Sequence, residues 1–183
     1  PFADQPALAE DVARFRGEAV ALIAGEPAAV AAIDVRDFPI FWTELPSMLE
    51  PGAAVAPGAD LLHADRQGNL LVAGYVECGE PDMALAAAAV TVSATIDTSF
   101  VEHAYIEPEA GWAEMDGDTL VIRACTQAPH MDREDTAIVL GLPLERVRII
   151  PTATGGGFGS KIDVSIQPLI GLVALKTGRP AAI

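Results

Sequence analysis

Apolar positions recur in two rhythms along this chain. "VTVSATIDT" (90–98) alternates apolar and polar residues at period two, the mark of a half-buried strand. "GWAEM" and "TLVIRACT" alternate on either side of Asp116-Gly117-Asp118, which predicts a β-hairpin with Gly117 in its turn. "PHMDREDTAIVLGL" (129–142) carries the helical rhythm, with Pro129 suited to the first turn and Gly141 to the stop. "RVRII" (146–150) follows as a strand, and "DVSIQPLIGLVALKTG" (163–178) as a helix that is apolar nearly all round. Pro168 inside that helix predicts a kink or a late start.

The first half is less regular. "RGEAVALIAG" (16–25) reads as a buried strand and "EPAAVAAIDVR" as an alanine-rich helix opened by Pro27. "FPIFWTELP" (38–46) reads as a strand ending at Pro46. From Pro51 to about Gly79 the composition is that of turns, which predicts a connector between domains. "EPDMALAAAA" (80–89) reads as a short helix. These elements predict a mixed α+β fold with no internal repeat.

Composition narrows the function classes. With 26 acidic and 11 basic residues the net charge is −15, which disfavours nucleic acid and anionic membrane as partners. Cys78 and Cys125 lie far apart and form no Cys-x-x-Cys pair, so neither a disulfide framework nor a zinc site is expected. Two buried free thiols in a reducing, cytoplasmic setting are the expectation. No apolar run approaches the ~20 residues of a membrane-spanning helix. Pro1 at the start and "GRPAAI" at the finish look like cuts from a longer polypeptide.

The candidate chemistry lies in "TATGGGFGSK" (152–161). A phosphate-binding P-loop would need Gly-Lys followed by Ser or Thr, whereas Lys161 follows Ser160 and precedes Ile162. A dinucleotide fingerprint would need glycine where Ser160 stands. Yet a glycine loop between a strand and a helix offers free N–H groups to an anionic or oxo ligand. A tight strand-to-helix turn with no ligand is the simpler alternative. In "EHAYIEP" (102–108) the polar residues Glu102, His103, Tyr105 and Glu107 alternate, which fits an exposed face with one bonded inward member better than a metal site. His63 and His130 read as surface residues, and "DREDTA" (132–137) as a solvated helix face.

Several of these stretches together resemble one family. "SFVEHAYIEPEAGWAEMDGDTLVIRACTQAPH" followed by "LGLPLERVRIIPTATGGGFGSK" is similar, in motif order and spacing, to the molybdenum-binding large subunit of the xanthine dehydrogenase / aldehyde oxidase family. Upstream, "VARFRGEAVALIAGEPAAVAAIDV" and "WTELP" resemble the end of its α/β hammerhead domain, and "GNLLVAGYVECGEPDMALAAAAVTVSATIDT" the entry into its molybdenum domain. The resemblance implies three regions: residues 1–50 as the C-terminal part of a hammerhead domain, 51–79 as connector, and 80–183 as the N-terminal part of a molybdenum-cofactor-binding domain.

It also implies an activity: hydroxylation of an aldehyde or N-heterocycle carbon, with water as oxygen source, at a molybdenum held by a pterin. The cytosine dinucleotide form of the pterin is allowed. Electrons would leave through [2Fe–2S] clusters and FAD on partner domains or subunits. Carried over by motif, Phe158 and Gly159 would offer main-chain N–H groups to the molybdenum oxo ligand, Gly156 and Gly157 would allow close approach, and Gln127 would bring an amide to the same ligands. Purine-hydroxylating members carry glutamate where this chain has Ile162, so Ile162 would line a substrate pocket that disfavours purines. Glu107 would help build the fold beside the site. The family's catalytic glutamate and most pterin contacts lie downstream of these motifs. The 183 residues would then hold no catalytic residue and no direct metal ligand, would be inert alone, and would need the remainder of the subunit as partner. Two other classes compete: a scaffold that kept the fold without the metal, and a nucleotide-binding domain, against which both failed phosphate patterns count.

Overall fold

The hairpin anticipated around Gly117 is the seed of the sheet. Strands β1 (Gly111–Asp116) and β2 (Thr119–Ala124) pair antiparallel, with Ala113 opposite Ile122, and Gly117 turns the chain at φ 58°. After β2 the chain enters helix α4 (Pro129–Leu140), which Gly141 ends in the left-handed conformation at φ 64°. It returns as β3 (Val147–Pro151), parallel to β2, with Leu120 opposite Val147. The glycine loop leads into helix α5 (Gln167–Thr177), and β4 (Ala181–Ala182) closes on β1. The strand order is β3-β2-β1-β4, so the fold is the mixed α+β type that the periodicity predicts.

The computed structural model describes residues 5–183. Contacts divide the chain into two units: residues up to Asp37 with Val101–Ile183, and Phe38–Phe100. In the first unit the core forms where one face of the sheet meets α5. Strand alternation turns Ala113 of β1 and Leu120, Ile122 and Ala124 of β2 to the same side. Ile166, Ile170 and Ala174, at helical spacing, cover them. The helix comes close because Gly171 has no side chain: a Cβ there would stand 3.0 Å from Leu120 Cδ2 and 3.1 Å from Leu140 Cδ1. Pro168 occupies the first turn of α5, so the helix starts late and is not kinked.

Several expectations for the first half are corrected. "RGEAVALIAG" and "FPIFWTELP" form no strand, and neither does "VTVSATIDT". The alanine-rich helix shortens to α1 (Pro27–Ala31) with a separate 3₁₀ turn at Val35–Asp37, and the connector contains a one-turn helix, α2 (Pro51–Ala54). Helix α3 (Pro81–Ala87) stands where expected. The physical reason is shared: a period-two pattern is realised as strand only when a neighbouring strand takes its N–H and C=O groups. Within the second unit Phe41 and Val76 are 98% exposed, so the alternating side chains have no layer to pack on. Cys125 is buried but Cys78 is exposed, and both are free thiols.

The charge run on α4 is also not a wholly solvated face. Asp132 is fully buried; its Oδ2 accepts a hydrogen bond from Gln167 Nε2 at 3.0 Å, and its Oδ1 has no partner. Burial pushes this carboxyl above its usual range. Thr126 and Gln167 oppose the rise, while Asp135 and Glu109 add to it. A carboxyl whose folded pKa is raised binds more protons folded than unfolded between the two pKa values, so stability falls as pH rises through that window. Asp132→Asn removes the buried charge and keeps an acceptor for Gln167. The variant should be more stable at pH 7 by about 1 kcal/mol, with the gain shrinking as pH falls through that window and absent below the ordinary aspartate pKa of ~3.9. Thermal melts at the two pH values check this; an unchanged or lowered melting temperature at pH 7 contradicts it.

Candidate functional site

The loop between β3 and α5 is fixed by two segments from elsewhere in the chain. The first is the end of β2. Thr152 N–H donates to Ala124 O at 3.0 Å, extending the parallel pairing by one bond. Three residues beyond β2, Gln127 N–H donates to Lys161 O at 2.9 Å. The Gln127 side chain turns back under the loop. Its Oε1 accepts the N–H of Gly159 at 2.9 Å and that of Lys161 at 3.4 Å.

The second segment is the stretch before β1. Glu107 N–H donates to Gly155 O at 3.3 Å, and Gly155 N–H donates to Glu107 Oε2 at 2.7 Å. Lys161 lies beneath, 2% exposed. Its Nζ donates to Glu107 O at 2.8 Å and Oε2 at 3.1 Å, and stands 4.5 Å from the centre of the Tyr105 ring. The Gly155 N–H and then Lys161 hold the Glu107 carboxyl below its usual range. Burial pulls the Lys161 ammonium down, but its bond to Glu107 and the neighbouring Cys125 outweigh it, and the net shift is upward.

The glycines therefore serve the chain itself. A Cβ on Gly155 would lie 2.6 Å from Glu107 Cβ, one on Gly156 3.0 Å from Tyr105 Cβ, and one on Gly157 would overlap the Gln127 amide. The family motif implies that Gly156 and Gly157 are bare for a metal centre, but the space beside them is filled by Tyr105 and Gln127. Gly159 is different: a Cβ there would meet only His103 Nε2, at 3.9 Å, yet its φ of 102° favours glycine. Phe158 adopts φ 54° although it is not glycine, and the residue is 73% exposed. Ile162, next to the buried lysine, is exposed.

The loop leaves several donors unpaired. The N–H groups of Gly156, Gly157 and Phe158 have no hydrogen-bond partner among the described residues, nor has the Gln127 Nε2 group. The Gly159 N–H, one of the two expected donors, is taken by Gln127. Successive free main-chain donors at a glycine-rich turn suit a ligand carrying negative charge on oxygen. Among the described residues no group of three or more His, Cys, Asp or Glu is placed to hold a metal ion. No described helix is long and apolar enough to cross a membrane. The structure thus brings Gln127, Gly156, Gly157, Phe158 and Gly159 together. It adds Glu107, Lys161 and Tyr105, whose burial and bonding no local pattern reveals.

Comparison with known proteins gives one consistent answer. Residues 62–183 match the family model described as "Molybdopterin cofactor-binding domain". The chain is 34% identical over 98% of its length to a probable xanthine dehydrogenase subunit of Bacillus subtilis (strain 168), of which it covers 24%. It is 33% identical over 97% of its length to the "Nicotinate dehydrogenase large molybdopterin subunit" of Eubacterium barkeri, of which it covers 41%. Among solved structures it superposes on the aldehyde oxidoreductase of Desulfovibrio gigas with a TM-score of 0.67 and 26% identity, covering 76% of this chain and 15% of that one. The chain thus spans well under half the length of the curated relatives it matches.

Proposed function

Because the chain belongs to the molybdopterin cofactor-binding domain family, we propose that it forms one wall of the active site of a molybdenum hydroxylase that oxidises an aldehyde or an N-heterocycle. The observation that carries this reading is the run of unpartnered N–H groups at Gly156, Gly157 and Phe158 beside the free amide N–H₂ of Gln127. The residues present fit a group bearing oxygen ligands: all of these are donors, and the acceptor side of Gln127 already faces inward. When bound, the pterin-held molybdenum supplies the redox chemistry that inserts oxygen from water into a carbon–hydrogen bond.

The chain's own residues bind and orient. Gln127 donates from Nε2 while Gly159 and Lys161 hold its Oε1, so the amide cannot turn over without losing two bonds. Fixed dipoles of this kind favour charge on oxygen without reorganising. Phe158 and Gly159 place the loop against the cofactor, and Ile162 lines the pocket with a side chain that cannot bond a purine edge. No carboxylate of this chain acts as general base, so the isolated chain is inert. In this reading residues 1–50 are the hammerhead part, 51–79 the connector and 80–183 the cofactor-binding part. In this reading iron–sulfur and flavin domains or subunits complete electron transfer, and the pterin carries a nucleotide of which the cytosine form is one candidate.

The test is molybdenum content by mass spectrometry, with nucleotide released by acid, on the full-length gene product purified with its partners. About one molybdenum per chain with a pterin nucleotide is expected. No molybdenum, from a host that makes the cofactor, would overturn the reading in favour of a scaffold that kept the fold.

A further inference from the structure

We infer that Lys161 is a positioning residue that, through its buried ammonium on Glu107 and its main chain on Gln127, forms the glycine loop in its working shape before any cofactor arrives. That the shape receives a molybdopterin rests on the function proposed above; the preforming of the loop does not.

The loop has two supports distant in sequence. Glu107 grips its start, at Gly155, and Gln127 grips its end, at Gly159. Lys161 is bonded to both. Its Nζ reaches the carbonyl and carboxylate of Glu107, 54 residues away, and its N–H and C=O both pair with Gln127, 34 residues away. Gly155, Glu107, Lys161, Gln127 and Gly159 are thus linked in order by hydrogen bonds, and the loop's own backbone from Gly155 to Gly159 closes the ring. The ammonium donates twice within the ring, to the carbonyl and the carboxylate of Glu107, and the Tyr105 face and Cys125 stand beside it.

Two observations show that the ring constrains the backbone. Phe158 inside the loop and Ala104 beside Tyr105 both lie in the left-handed region, at φ 54° and 52°. Neither is glycine, and side-chain-bearing residues persist there only where the surroundings over-determine them. They are the only non-glycine residues with positive φ among those described, and each precedes one member of the Lys161–Glu107 pair by three residues: Ala104 before Glu107, Phe158 before Lys161. A buried ammonium also needs its partner: removing one member of such a pair leaves the other uncompensated.

The experiment uses the full-length subunit with its partners, made in a host that cannot synthesise the pterin, so that the loop is observed without cofactor. Amide hydrogen exchange is followed by mass spectrometry in peptides covering 152–161 and, as control, 119–124. In Lys161→Met, exchange in 152–161 should be at least tenfold faster than in the wild type, with 119–124 unchanged. Equal exchange in 152–161, with the control also unchanged, overturns the inference. Should the methionine variant fail to fold, Glu107→Gln decides. It keeps an acceptor for the Gly155 N–H and removes the charge, so it should accelerate the same peptide; equality with the wild type overturns the inference here too. In a cofactor-competent host, Lys161→Met should retain less than one third of the wild-type molybdenum. A wild type without molybdenum would sink the proposed function alone, whereas unaltered exchange would sink the positioning role alone.

Discussion

Gly157→Ala should lower the molybdenum content of the full-length subunit at least tenfold. The new methyl would overlap the Gln127 amide, with Cδ only 2.7 Å from the added carbon. A glutamine side chain can move, but here movement breaks the bonds its Oε1 accepts from Gly159 and Lys161. The two donors left behind are main-chain N–H groups that must find new partners. Gly157 does not require positive φ, so the loss would come from the collision and not from backbone strain. That separates this variant from Gly159→Ala, where the space is nearly open and the conformation is at fault. Metal analysis of the purified protein decides; content within twofold of the wild type would show that Gln127 can leave its seat without harm to the site.

Leu120→Ala should destabilise the chain by about 2–5 kcal/mol, the usual cost of emptying a fully enclosed leucine site. Leu120 is completely buried in the sheet layer beneath α5, and its Cδ2 lies where Gly171 lets the helix approach. Backbone on both sides limits collapse into the void. Val92→Ala, equally apolar in sequence but exposed, is the matched control and should change stability by no more than about 0.5 kcal/mol. Urea midpoints of the two variants and the parent give the comparison. A Leu120 variant as stable as the Val92 variant would mean that the core around β2 is not closed as described.

The elements legible in the sequence are those whose partners are near in the chain. The hairpin is announced by Asp116-Gly117-Asp118, α4 by Pro129 and Gly141, and the late start of α5 by Pro168. Alternation at "VTVSATIDT" is equally regular, yet it forms no strand, because alternation describes a surface and says nothing of what covers it. The glycine loop is visible as composition, and the family resemblance points to Gln127 and Phe158. The reason for the glycines is not visible. Each of Gly155, Gly156 and Gly157 makes room for a side chain from a distant segment, a relation that no local window contains. Lys161 reads as no more than the end of a failed phosphate motif, since nothing in "GSKI" shows that the ammonium is buried. Asp132 misleads in the same way: a charge run on a helix looks solvated until Gln167 is seen against it.

Among the described residues the four strands and both long helices fall between Gly111 and Ala182, and this sets an order of assembly. The hairpin needs only a two-residue turn, and the parallel pairing of β2 with β3 needs only the helix between them, so both are quick to close. The glycine loop ties its start to Glu107, 48 residues back, and its end to Gln127, 32 residues back, while β4 must return to β1 from the last residues of the fold. Longer closures come later because their chain entropy is lost before their contacts form. In any polypeptide carrying this sequence strands β1 to β3 therefore stand as a platform before the loop is drawn down on it and before β4 completes the sheet. A synthesis halted between β3 and α5 would leave the hairpin standing and the three glycines unseated, with Gln127 and Glu107 still waiting for the lysine that joins them.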